Sequence, residues 1–213
     1  EYRRQRQMCI RDSYNFAVRY PSDKVLSGVS MSVLPLVILP DPLLRARAKK
    51  VRKIDVSITK LAEDMVETMR FHNGIGLAAN QVGVLKRVVV IEVPDDDIRV
   101  LVNPEIIKKH GEREVEEGCL SIPGYRGTVI RSEKVRAKAI GLDGKVIRIK
   151  AEGLFAQALE HETDHLNGVL YIDHLVSQDS LTKVTYAPEE ETTQDASDDS
   201  TPDTTEDSGV EKA

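Results

Sequence analysis

His161-Glu162-Thr163-Asp164-His165 constrains this chain more than any other stretch. Two histidines four apart share a face only if the segment is helical, and both imidazoles can then reach one metal ion. Glu162, one step round that helix, falls beside such an ion rather than on it, where a general base would stand. Gly168 suits the end of the helix, which the pattern places over about residues 153–167. The same pentad also arises as two ordinary histidines on a helix surface or in a core, so other stretches must decide.

A catalytic ion takes three protein ligands and keeps one position open. The best third donor is Cys119, in Glu117-Gly118-Cys119-Leu120-Ser121, at the end of a strand pattern where Gly118 permits close backbone approach. A free cysteine is more often a small buried hydrophobe, and His72, His110 and His174 are rival donors. A second stretch, Gly74-Ile75-Gly76-Leu77-Ala78-Ala79-Asn80-Gln81-Val82-Gly83, reads as a loop joining a helix to a strand. Its glycines let backbone approach a ligand, and Gln81 can aim an amide into a site. It is not a dinucleotide fingerprint, because it follows a helix and its third glycine is out of register. It also fits a plain, well-packed loop.

The remaining pattern is α+β, with mainly antiparallel sheets around a central C-terminal helix carrying the ligands and one long N-terminal helix. Val33–Leu39 is an apolar segment suited to a buried strand or a docked arm, and Asp41 caps a short helix begun by Pro42. The long helix begins near Asp55, with Ile58, Leu61, Met65 and Met69 as its apolar stripe, and ends at Asn73-Gly74. Lys86–Val93 is a strand whose Val-Val-Val-Ile centre implies burial on both faces. Further strands are expected over 98–102, 106–109, 112–120, 129–140 and 145–151, the last two joined by a Gly141–Gly144 hairpin. A short ordered continuation follows over 169–175.

Charge separates the ends from the middle. The chain of 213 residues has a formal charge of −5. Pro188–Ala213 holds ten acidic residues against Lys212, and the first thirty residues hold six basic and three acidic. The −9 of the tail and the +3 of the start leave +1 for residues 31–187. Residues 1–30 read as a non-catalytic disordered extension, 31–180 as the catalytic domain and 181–213 as an acidic disordered tail. The near-neutral middle offers no nucleic-acid surface, so direct DNA binding is not expected. No apolar run is long enough for a membrane span. Two distant cysteines, Cys9 and Cys119, make no disulfide framework and point to a reducing cytoplasm.

Taken together, Gly74–Gln81, Glu117–Ser121 and His161–His165 resemble the three motifs of the peptide deformylase family, GxGLAAxQ, EGCLS and HExDH, in order and at compatible spacing. The likeness covers about residues 31–178. It implies an α+β hydrolase that removes the formyl group from the N-terminal formylmethionine of new polypeptides and releases formate. It implies one divalent ion per chain, Fe2+ or Zn2+, on Cys119, His161 and His165, with Glu162 as acid/base. Gln81 and the Leu120 backbone N–H would donate to the formyl oxygen. Gly76 and Gly118 would meet the peptide backbone, and Arg126 is a further peptide contact. Ile75, Val115 and Leu154 are the candidates to line an apolar pocket for methionine. Glu117 and Arg131 would support the site as a pair, with Asp164 orienting a ligand histidine. The partners implied are N-formylmethionyl peptides and nascent chains, with docking on the ribosome. A zincin-type protease is the rival hydrolase, but it would need His174 or Asp173 as ligand at an unusual spacing. A closed structural metal site would need a fourth ligand, which the sequence does not offer.

Overall fold

The computed structural model describes residues 32–184; the extension over 1–30 and the tail beyond 184 lie outside them. Eight strands and two α-helices follow a docked N-terminal arm. They are α1 (Val56–Phe71), β1 (Gly76–Ala78), β2 (Val88–Ile91), β3 (Arg99–His110), β4 (Arg113–Cys119), β5 (Ile122–Arg131), β6 (Lys134–Ile140), β7 (Val146–Glu152), α2 (Gly153–Asn167) and β8 (Leu181–Lys183). One antiparallel sheet runs β1-β2-β3-β6-β7 and a smaller one β4-β5-β8.

The larger sheet explains why β2 is apolar throughout. Side chains alternate across a strand, and both faces of β2 are covered. Val88 and Val90 pack with Ala62, Met65 and Met69 of α1. Val89 and Ile91 pack with Ala156, Ala158, Leu159 and Leu166 of α2. Each of the Val, Ile, Leu and Met side chains contributes roughly 1.5–3 kcal/mol on burial. The sheet is therefore sandwiched between the helices, and α2 is fixed along its length.

The helix ends follow their sequence signals. The Asp55 carboxylate accepts from the N–H groups of Ser57 and Ile58 at 3.0 and 3.3 Å. Asp41 caps a 3-10 turn over Pro42–Arg45 by accepting from Leu43 N–H at 2.8 Å. Gly168 closes α2 at φ 78°, and a Cβ there would run into the Arg45 carbonyl, so glycine is required twice over.

Several expected boundaries move. The two strands expected over 98–102 and 106–109 are one, β3, which carries Pro104 across a register irregularity against β6. The single strand expected over 129–140 is two, broken at Ser132-Glu133 so that β5 and β6 belong to different sheets. Part of the expected loop after α1 is β1, paired with β2. The arm runs alongside the site instead of joining a sheet: Val37 N–H donates to Gln81 O at 2.7 Å and Leu39 N–H to Ser121 O at 2.9 Å. The boundary at 180 falls short, because β8 pairs Leu181 with Gly127 and Lys183 with Tyr125.

Candidate metal centre

Leu154, Ala158, His161 and His165 recur at spacings of four, three and four on α2, which gives them one common face. Opposite them β4 alternates: Val115, Glu117 and Cys119 turn inward while Glu114, Glu116 and Gly118 are exposed. The two elements bring Cys119 Sγ to 3.2 Å from His165 Nε2. Ligand atoms of Cys119, His161 and His165 all lie within 4.8 Å of one another.

Buried charge holds this arrangement. His161 Nδ1–H donates to Glu117 Oε2 at 2.8 Å, which leaves Nε2 free for an ion. Arg131 donates to both oxygens of Glu117, Nε at 2.8 Å and Nη2 at 3.0 Å, and its Nη1 donates to Asp164 at 2.5 Å. Burial alone would push Glu117 up, but the His161 and Arg131 hydrogen bonds outweigh it and hold the carboxyl at about 2. Arg131 is raised above its ordinary value: burial opposes its charge, and Glu117 and then Asp164 overcome that. His161 is likewise raised, since Cys119 and Glu117 outweigh its burial. His165 is lowered, first by burial and then by the positive charges of His161 and Arg131. Asp164 does not orient a ligand histidine; it joins Arg131 to His174 Nε2 at 3.2 Å. The partner that orients His161 is Glu117, because Asp164, three residues on, faces Arg131 instead.

Glu162 is 3% exposed, and its Oε2 has no hydrogen-bond partner among the described residues. Burial is the largest influence on it and carries it up to about 7, with Glu117 and Asp164 adding to the rise against His161 and Arg131. Gly76 makes room for this side chain: a Cβ at 76 would strike the Glu162 carboxylate. Gly118 is different. A Cβ there would meet nothing closer than 3.6 Å, so the protein's own packing does not demand glycine.

Gln81 is 1% exposed on a 3-10 turn over Ala79–Val82. Ala78 N–H donates to its Oε1 at 2.8 Å, which turns Nε2 toward Cys119 Sγ (3.5 Å) and Ser121 Oγ (3.2 Å). Leu120 sits in the two-residue turn between β4 and β5. Its side chain packs toward the core and its N–H donates to no backbone carbonyl among the described residues. Arg126 pairs with Glu116 at 3.2 Å, both exposed. Ile75 and Leu154 are exposed apolar side chains at the ends of β1 and α2, and Val115 is half-buried on β4. His72 and His110 take no part in the ligand group.

Sequence reasoning gave no role to three neighbours. Asn80 Nδ2 donates to the His165 carbonyl at 2.6 Å. Ser121 accepts from Gln81. Tyr171 stacks on His161, with centroids 6.2 Å apart. Asn80 and Ser121 stand inside the motifs and were open to the question; nothing local marks Tyr171.

One thiolate and two imidazoles suit a borderline divalent cation. Tetrahedral coordination would separate S and N ligand atoms by roughly 3.5 Å, and the 3.2 Å contact requires little adjustment. The buried, unpartnered oxygen of Glu162 beside the group completes a set that fits one ion.

The polypeptide deformylase family model matches residues 33–180. A peptide deformylase of Dehalococcoides mccartyi is 56% identical over 155 residues, 72% of this chain and 93% of that protein. The chain belongs to the peptide deformylase family. It is a metal-dependent hydrolase that removes the N-formyl group from nascent peptides. The peptide deformylase of Thermomicrobium roseum is 42% identical over 169 residues, covering 76% of this chain and 94% of the relative. Among solved structures, the deformylase of Legionella pneumophila has a TM-score of 0.67 at 47% identity, over 70% of this chain and 88% of that one. That of Thermotoga maritima has 0.66 at 38%, over 68% and 99%. The two helices and antiparallel sheets are those of deformylases. Among the described residues no helix is long and apolar enough to cross a membrane.

Proposed function

We propose that Cys119, His161 and His165 hold the ion, Fe2+ or Zn2+, and that Glu162 handles the proton in deformylation of N-formylmethionyl peptides. The observation that carries this reading is the meeting of three ligand atoms within 4.8 Å beside a buried carboxyl whose pKa lies at about 7. The bound ion would supply Lewis acidity, activating water near neutral pH and polarising the formyl oxygen.

The chain's own groups do the rest. Glu162 takes a proton from the attacking water and returns one to the leaving amine, a task for which a pKa near the working pH is best. Gln81 Nε2 and the Leu120 N–H donate to the formyl oxygen as negative charge grows there; each preorganised donor contributes about 3 kcal/mol. Glu117 fixes the His161 ring, and Arg131 keeps Glu117 ionised. Gly118, open on its exposed side, lets the peptide backbone approach, with Gly76 and Arg126 as further contacts. Ile75, Val115 and Leu154 give the methionine side chain an apolar lining. The α+β arrangement serves this by laying the ligand helix α2 centrally against the larger sheet. The protein works in the cytoplasm, on nascent chains at the ribosome.

The test is formate release from formyl-Met peptides by anaerobically purified protein, with the metal counted. The expected result is turnover that tracks one ion per chain. Turnover undiminished after the ion is stripped overturns the reading.

A further inference from the structure

A groove of about 650 Å³ lies where the chain enters α1, and none of the motif residues lines it. Lys49, Lys50, Arg52, Lys53 and Lys86 do, all exposed. The carboxylate at its edge, Asp55, is engaged as the cap of α1, accepting from Ser57 and Ile58. Among the described residues none of the five cations is in an ion pair, although ion pairs are common elsewhere on the molecule. Five cations against the single carboxylate of Asp55, which Lys53 influences only weakly, leave the cavity with a net positive charge that favours an anionic occupant.

The same chain carries that anion. Pro188–Ala213 holds ten acidic residues and one lysine, in a chain whose described part ends at Val184. Twenty-nine residues remain after that point. Such a length spans roughly 30 Å root-mean-square, comparable with the ~40 Å breadth of a domain this size. Tethering puts the tail at millimolar effective concentration, which no free polyanion in dilute solution matches.

We infer that the acidic segment 188–213 seats its carboxylates in the basic groove formed by Lys49, Lys50, Arg52, Lys53 and Lys86. The contact is electrostatic and therefore weakens with salt. It makes the groove a self-occupied surface that nucleic acid reaches only by displacing the tail.

The test uses the full chain and a water-soluble carbodiimide, which condenses a carboxylate with a touching lysine amine into an amide and takes up the water released. Mass spectrometry then maps the links. The inference requires tail carboxylates joined to Lys49, Lys50, Lys53 and Lys86 at least ~5-fold more often than to the exposed Lys108 and Lys150. It also requires those links to fall at least ~3-fold in 0.5 M salt. Links spread evenly over surface lysines, or none from the tail, overturn it. Loss of the tail links on adding a micromolar single-stranded RNA oligonucleotide supports it, since a competing polyanion can remove those links only by displacing a tail that is seated there. Lys50→Gln with Lys53→Gln, both on exposed side chains, should lower linking at the remaining Lys49 and Lys86; unchanged linking there also counts against the tail as occupant.

Discussion

The N–H of Ala78 donates to Oε1 of Gln81 at 2.8 Å, and by doing so it decides which end of the amide faces the cysteine. Nε2 is left to face Cys119 and Ser121. Gln81→Leu should keep the ion and lower turnover by roughly 10²–10³, the loss expected for one preorganised donor. It should also strand the buried Ala78 N–H, at a stability cost of about 1–3 kcal/mol. Steady-state kinetics beside a urea melt check both; an unchanged kcat with only a raised KM would reduce Gln81 to a substrate holder.

Glu162→Gln preserves shape but cannot shuttle a proton. The ion should remain at one per chain while kcat drops at least ~10². A drop below tenfold would hand the proton to another group.

Ala at Cys119, His161 or His165 leaves two donors, too few to hold a divalent ion against water. Each variant should come off dialysis without metal by elemental analysis. Stoichiometric metal in any one of them removes that residue from the ligand set.

Arg131→Met removes the cation that both Glu117 and Asp164 use, leaving Glu117 buried and charged. Breaking a buried pair from one side costs about 3–5 kcal/mol. Chemical denaturation should show that loss, and a shift under 1 kcal/mol would mean that water replaces the guanidinium.

Arg70 grips both oxygens of Glu92, at 2.7 and 2.6 Å, tying the end of α1 to the residue after β2. That hydrogen bond holds Glu92 below its ordinary range, with burial opposing. A depressed folded value stabilises at pH above the unfolded carboxyl's ~4.3 and is lost as pH falls through the folded value. The pair is well exposed, so Glu92→Gln should cost only about 0.5 kcal/mol at pH 7. The difference from the parent should vanish in the acid range; one that persists to pH 2 would be packing rather than charge.

The site was far more legible than the strand boundaries. The meeting of Cys119 with His161 and His165 could be expected because few residue types at few spacings can share one ion, and the structure brings the three together. The break at Ser132-Glu133 carries no Gly or Pro, so β5 and β6 read as one run; the buried Glu160 carboxylate, accepting from Ser132 N–H at 2.8 Å, holds that corner from afar. Pro104 cannot donate to a sheet ladder, and the register irregularity that accommodates it within β3 is set by the pairing with β6. Leu181–Lys183 is too short to show a period and exists only through β5. Asp164 lies within the motif, yet its partner is decided by the placement of Arg131 on another strand.

Gln81, Cys119 and His165 come from three segments, and 84 residues separate the first from the last. At ~5–20 residues per second, a ribosome takes roughly 4–17 s to make that interval. For those seconds the growing chain has its amide and then its thiol, but not the pair of imidazoles. The cysteine–histidine group is thus completed only when residue 165 has been added, and a copy cut short before it lacks the second histidine of α2.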